Sequence, residues 1–181
     1  FVLYTSWVLY TTFKFGWGPL ENGWSMAAVG VVSVVVQGFL MGRLLTWFSP
    51  QKLAILGLIS SAAAYAMWGA ATQGWMMFAI IGVNLLGGTV AASVNSLISS
   101  AADSRSQGQT LGAVNSLTSL TAVFAPMVAA PLLAMVSHLP QGDWRIGAPF
   151  YFCALLQLGS LWMAVLHFKH HQRFGGPHKA L

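Results

Sequence analysis

Long apolar runs alternate with short polar breaks rich in Gly and Pro along the whole chain, and the runs cover residues 1–13, 24–41, 53–72, 75–98, 111–136 and 148–168. A helix rising about 1.5 Å per residue needs about 20 mostly apolar residues to cross a hydrocarbon core about 30 Å thick. Five of the runs are therefore predicted spans. The first run is too short and opens inside an apolar stretch at Phe1, so it is predicted to be the end of a sixth span. The five connections, KFGWGPLENG, SPQK, TQG, ADSRSQGQ and SHLPQGDWRIG, are all short. Backbone polar groups in lipid must be paired within their own segment. The expected fold is thus all-α: a polytopic membrane bundle of six antiparallel transmembrane helices, without a soluble domain. A transmembrane barrel would need shorter, strictly alternating strands.

Composition sharpens this picture. The 181 residues are 56% hydrophobic and only 6% charged, against about 25% charged in soluble domains, so lipid is the expected partner of most of the surface. The net charge of +5 does not suggest nucleic acid, because the basic residues are scattered among the spans and form no continuous patch. Their distribution instead sets orientation. Arg43, Lys52, Arg105, Lys169, Arg173 and Lys179 fall on one side of the membrane, and only Lys14 and Arg145 on the other. The positive-inside rule puts the first set, and both chain ends, in the cytoplasm; the expected location is the cell inner membrane. Trp17, Trp24, Trp47, Trp75 and Trp144 fall near predicted span ends, as interfacial anchors do. Cys153, the single cysteine, permits no intrachain disulfide and reads as a small buried group.

Function has to be carried by neutral groups. Glu21, Asp103 and Asp143 all fall in connections, and no Lys or Arg lies mid-span, so no intramembrane charge is expected as a proton relay. Uncharged polar and small residues do recur at helical spacing: Gly30, Ser33 and Gln37 in span two, Asn84, Gly88, Ala91 and Asn95 in span four, and Asn115, Thr118, Ser119 and Ala122 in span five. Amides are costly to leave unpaired in lipid, so these faces either bond a neighbouring helix or line a cavity. Tyr4, Trp7 and Thr11 in span one give an aromatic wall with a hydroxyl, or a packing stripe. Gly108, Gly112 and Ser116 form a small-xxx-small packing pattern, and Pro126 is expected to kink or weaken span five. His167, His170, His171 and His178 lie in a basic tail that reads as a membrane-proximal surface segment; no carboxylate or cysteine completes a metal site there.

These segments taken in order, FGWGPLENGWSMAAVG, VVVQGFLMGRLL, SQGQTLGAVNSL with Pro126 downstream, and WRIGAPF, resemble the C-terminal half of major facilitator superfamily transporters, specifically the tetracycline-resistance-like drug/proton antiporters. The resemblance implies that the six spans correspond to helices seven to twelve of a twelve-helix protein whose N-terminal half precedes Phe1. It implies a substrate near the midplane between two halves and alternating access by rocking. Gly42, Arg43 and Leu44 match the start of the family's cytoplasmic loop motif. Gln37 coincides with a glutamine that lines the transport path in tetracycline exporters. Ser33 and Ser61 stand where those exporters can have a histidine and an acidic residue, and Ala92 replaces a proline typical of span four. The loss of titratable groups moves the expected proton site to the preceding half.

The expected function is a proton-driven exporter of amphipathic drugs such as tetracycline-like compounds. Tyr4, Trp7, Thr11, Ser33, Gln37, Asn84, Asn95, Asn115 and Ser119 are the candidate substrate-binding residues. No cofactor is expected: the proton gradient supplies the energy, and a divalent metal enters only as part of a chelated substrate. Uptake of a small metabolite and a non-transporting membrane scaffold are the alternatives. An intramembrane protease is disfavoured, because no histidine lies mid-span and no GxSxG element occurs.

Overall fold

A computed structural model describes residues 2–101, 107–140 and 142–174. Asp103, Arg105, His178 and Lys179 lie outside the described residues, as do the side chains of Tyr4, Lys169, His170, His171 and Arg173. Among the described residues the chain is helical and contains no strand: α1 (Val2–Phe15), α2 (Pro19–Val35), α3 (Met41–Trp47), α4 (Pro50–Ala70), α5 (Gly74–Val83), α6 (Thr89–Ala101), α7 (Gln107–Val136) and α8 (Ala148–Phe174). The protein is a helical membrane bundle.

Local chemistry sets the helix ends. Pro19 and Pro50 occupy first-turn positions of α2 and α4, where a missing N–H costs nothing. The Gly18 N–H is held by the Glu21 carboxylate (2.9 Å), and the Ser49 hydroxyl accepts from the Lys52 N–H (3.4 Å). The first cap starts α2 well before the apolar run at residue 24. It continues as a helical stretch to Trp47. Four such stretches are long and apolar enough to cross a membrane: Pro19–Trp47, Pro50–Ala70, Gln107–Val136 and Trp144–Phe168. A fifth candidate is the pair Gly74–Val83 and Leu86–Ser99, bent by 60°. α1, with 14 residues, is shorter than a span. α7 continues as one helix through Pro126 and Pro131, so any kink or weakening at Pro126 is accommodated within it.

The helix α4 is the central pillar, packed against α5, α6 and α8, while α1 lies against α7 and α8. Rings and aliphatic groups gather where α1 ends, α4 turns into α5 and α8 begins: Trp7, Tyr10, Trp68, Met77, Ile146 and Phe150 are all buried there. The approach of α8 to α4 depends on glycine, since a Cβ on Gly147 would collide with the Gly69 backbone. The Tyr10 hydroxyl donates to the Trp68 carbonyl and Lys14 Nζ donates to the Gly69 carbonyl (2.7 Å). These two α1 side chains therefore bond carbonyls in the last turn of α4, where the Trp68 carbonyl also accepts from the Ala71 N–H (3.4 Å). Lys14, expected in a solvated connection, is instead only 3% exposed. Its ammonium lies 5.3 Å from the Tyr10 ring centre and 5.9 Å from that of Phe15, where ring faces partly replace water.

Candidate functional site

Two helix irregularities sit side by side. Val36–Leu40 forms a π-helical turn between α2 and α3, and a 3₁₀ turn at Leu86–Gly88 separates α5 from α6. Buried Val36 touches Gly88. The second break follows from Asn84-Leu85-Leu86-Gly87-Gly88, because Asn and Gly are poor helix formers. It is locked by contact. The Asn84 Oδ1 accepts from the Ser60 hydroxyl (2.9 Å), and its side chain folds over Gly87, where any Cβ would strike the Asn84 amide and the Ser61 hydroxyl.

The break opens a cavity of about 170 Å³ between α1, α2, α4 and α5. Three rings, Trp7, Tyr65 and Trp68, form part of its wall, aliphatic side chains including Val29, Val32 and Ile81 form much of the rest, and Ser33, Ser61 and Asn84 add neutral polar groups beside the Tyr65 phenol. Both indole N–H groups are already committed, Trp7 to the Ser25 hydroxyl (2.9 Å) and Trp68 to the Met77 carbonyl (3.3 Å). The Ser33 and Ser61 hydroxyls and the Asn84 amide N–H groups have no partner among the described residues. Among the described residues, no Asp, Glu, Lys, Arg or His lines the cavity. Tyr65 also borders a second, more open crevice of about 460 Å³ between α4, α7 and α8, lined in part by Phe124, Phe152, Cys153 and Gln157.

Of the nine candidate binding residues, the cavity gathers Trp7, Ser33 and Asn84. Thr11 is fully buried and donates to Asn22 Oδ1 (2.7 Å), so it belongs to the seam between α1 and α2. Gln37, Asn95, Asn115 and Ser119 are exposed on the surface of the chain and do not line the cavity. The expectation that Asn84 and Asn95 share one face assumes a straight span, and the 60° bend separates them. The Gly108, Gly112 and Ser116 stripe also faces outward, with nothing within 4 Å of a Cβ built on either glycine. Gly42 and Arg43 are exposed at the far end of the second span. Tyr65 and Trp68 were not singled out by their sequence. Their i, i+3, i+4 relation to Ser61 and Tyr65 on an aromatic-bearing helix is the signal that places them together. Among the described residues no cluster of His, Cys, Asp and Glu could hold a metal.

A polytopic bundle with a neutral, ring-walled cavity at a broken span has the architecture of a membrane carrier domain. The chain belongs to the Major Facilitator Superfamily, whose family model matches residues 1–179, and it is a multi-pass membrane protein. Among its curated relatives, the class B tetracycline resistance protein of Escherichia coli is 32% identical over 163 residues, covering 88% of this chain and 40% of that protein. The class D tetracycline resistance protein of Salmonella ordonez is 30% identical over 148 residues, covering 81% and 38%. Hippocampus abundant transcript-like protein 1 of Rattus norvegicus is 26% identical over 190 residues, covering 97% and 37%. The chain thus spans about 40% of the length of the curated relatives it matches. No solved structure gives a significant match.

Proposed function

We propose that this chain is one half of a secondary transporter that exports amphipathic organic compounds in exchange for protons, by alternating access against a six-helix half that precedes it. In this reading it sits in the cytoplasmic membrane with its tail on the cytoplasmic side.

The observation that carries the reading is the set of exposed neutral amides on otherwise apolar helices. Gln37, Asn95 and Asn115 are exposed and have no hydrogen-bond partner among the described residues. Such groups are costly against acyl chains. The hydroxyls around Asn115 differ: Ser116 and Thr118 each bond a carbonyl one turn back, at 2.9 and 2.8 Å, and so tolerate lipid. The amides lack that recourse, which favours a wet path or a second half opposite them. The names of the tetracycline resistance relatives support a drug as cargo. The neutral lining of the cavity supports a proton-binding group in the preceding half, and a metal only as part of a chelated substrate.

The test is accumulation of tetracycline and of lipophilic dyes by the full-length protein in proteoliposomes with an acidic lumen. Proton-driven accumulation that a protonophore abolishes is expected. Gln37→Ala and Asn115→Ala should each slow it about tenfold, the scale of one lost hydrogen bond to the substrate. Absence of gradient-driven accumulation of every compound would reject export, and unchanged rates in both variants would remove these amides from the path.

A further inference from the structure

The cavity at the broken span is built as a receptor and not as a packing defect. An ordinary void in a helix bundle is lined by apolar groups, and its loss of contacts is simply tolerated. Here the wall is mixed in a specific way. The indole N–H groups of Trp7 and Trp68 are spent on Ser25 and Met77, so these side chains have only ring carbons left to offer a ligand. Ser33, Ser61 and the Asn84 amide keep uncommitted donors or acceptors at the same wall. Three rings and three free neutral polar groups converging on one space is the pattern of a small-molecule subsite.

Size and charge narrow the ligand. At about 170 Å³ the space is below the 300 Å³ or so of a whole drug site, but it is comparable to the roughly 150 Å³ cavity that takes up benzene in an engineered protein. With no Asp, Glu, Lys, Arg or His in the wall among the described residues, a charged group would be desolvated without a counter-ion. The surroundings are two irregular turns. Gly87 leaves no side chain in the way, and the break holds Asn84 at the wall through Ser60.

We infer that this cavity binds a single uncharged aromatic ring carrying one hydrogen-bonding substituent, the phenol-sized part of a larger amphipathic molecule or a free phenol. The inference deepens the transport reading by naming which chemical group this half recognises, and it rests on that reading for the source of the ring. Trp7, Tyr65 and Trp68 hold the ring. Asn84, with Ser33 and Ser61, reads the substituent.

The experiment uses the full-length protein labelled with 5-fluorotryptophan in nanodiscs, with fluorine resonances assigned by single Trp→Phe variants. Trp162 is 66% exposed on α8 and reports partition of ligands into lipid. Phenol is expected to shift the Trp7 and Trp68 signals saturably while Trp162 follows only the linear lipid background. Toluene should bind about fivefold more weakly for want of the hydrogen bond. Benzylammonium and benzoate should not shift the two signals. Ser33→Phe, at a half-buried position where a larger group fills the space, should abolish phenol binding. Ser61→Asp should admit benzylammonium. The inference is overturned if Trp7 and Trp68 fail to respond to phenol, as they would if the cavity held only water, if they move in parallel with Trp162, or if charged and neutral rings bind alike. Proton-driven export without ring binding would remove this inference and leave the transport reading standing. Ring binding without export of any compound would do the reverse.

Discussion

Two polar regions of this chain behave in opposite ways. In the seam where α1 meets α2 and α4, the buried polar groups are paired: Trp7 with Ser25, Thr11 with Asn22, Tyr10 with the Trp68 carbonyl, and Lys14 with the Gly69 carbonyl. On the outer faces of the π-helical turn after α2, of α6 and of α7, by contrast, Gln37, Asn95 and Asn115 have no partner among the described residues. The same residue types thus serve as mortar in one place and as open valences in the other. A polar residue in an apolar helix cannot be assigned a role by its presence alone; the state of its hydrogen bonds makes the distinction.

Substitutions can break or sharpen this contrast. The largest effect should come from Gly147→Val, which forces a branched side chain into the Gly69 backbone where α8 meets α4. A loss of about 3 kcal/mol, seen as failure to recover folded protein in detergent, is expected, and near-normal recovery would show that α8 does not seat there. Next is Thr11→Val, which keeps the shape but leaves the Asn22 Oδ1 without its donor. It should cost about 1–3 kcal/mol in thermal or denaturant unfolding. Thr11→Ser should recover much of that cost, and a Val variant as stable as wild type would deny the seam its role.

A smaller effect should follow pH. Burial lowers the pKa of Lys14, at the connection end of α1, from 10.5 to about 8, partly opposed by Asp143. Above about pH 8 the folded protein releases this proton, whereas the unfolded chain retains it to about 10.5, so stability rises with pH through that window. Lys14→Met should flatten that rise, and an unchanged pH slope would mean that the lysine is solvated. The smallest effect belongs to the open face. Gln37→Ala and Asn115→Ala should leave stability within about 0.5 kcal/mol while slowing transport, a separation that the seam variants should not show.

Much of the bundle was legible in the pattern of apolar runs, because a membrane allows few solutions to backbone pairing. Of the tryptophans read as interfacial anchors, Trp24, Trp47, Trp75 and Trp144 are exposed in the structure, whereas Trp17 is half-buried against Phe15 and Phe78. What the pattern hid was geometry that depends on neighbours. Periodicity along span four presumes a continuous helix, and the Gly87-Gly88 pair was the one local hint that Asn84 and Asn95 would part. Lys14 looked like a loop residue because its burial is imposed by Tyr10, Phe15 and the end of α4, which lies 55 residues away in the chain. Ser61 came to attention only through family resemblance, and its place beside Ser33 and Asn84 became visible only once α4 stood against α2 and the broken span.

The uninterrupted course of α7 has a mechanical corollary. Thirty residues in one helix measure about 45 Å, well beyond a hydrocarbon slab of about 30 Å. The surplus has to be absorbed by leaning, by local thickening of the lipid or by projecting into the headgroups. The end nearest Gln107 and Gln109 is polar enough to emerge. A rod of fixed length pressed between leaflets acts as a lever, so thinning the bilayer should increase its inclination and press its Gly108 and Gly112 stripe toward whatever lies opposite.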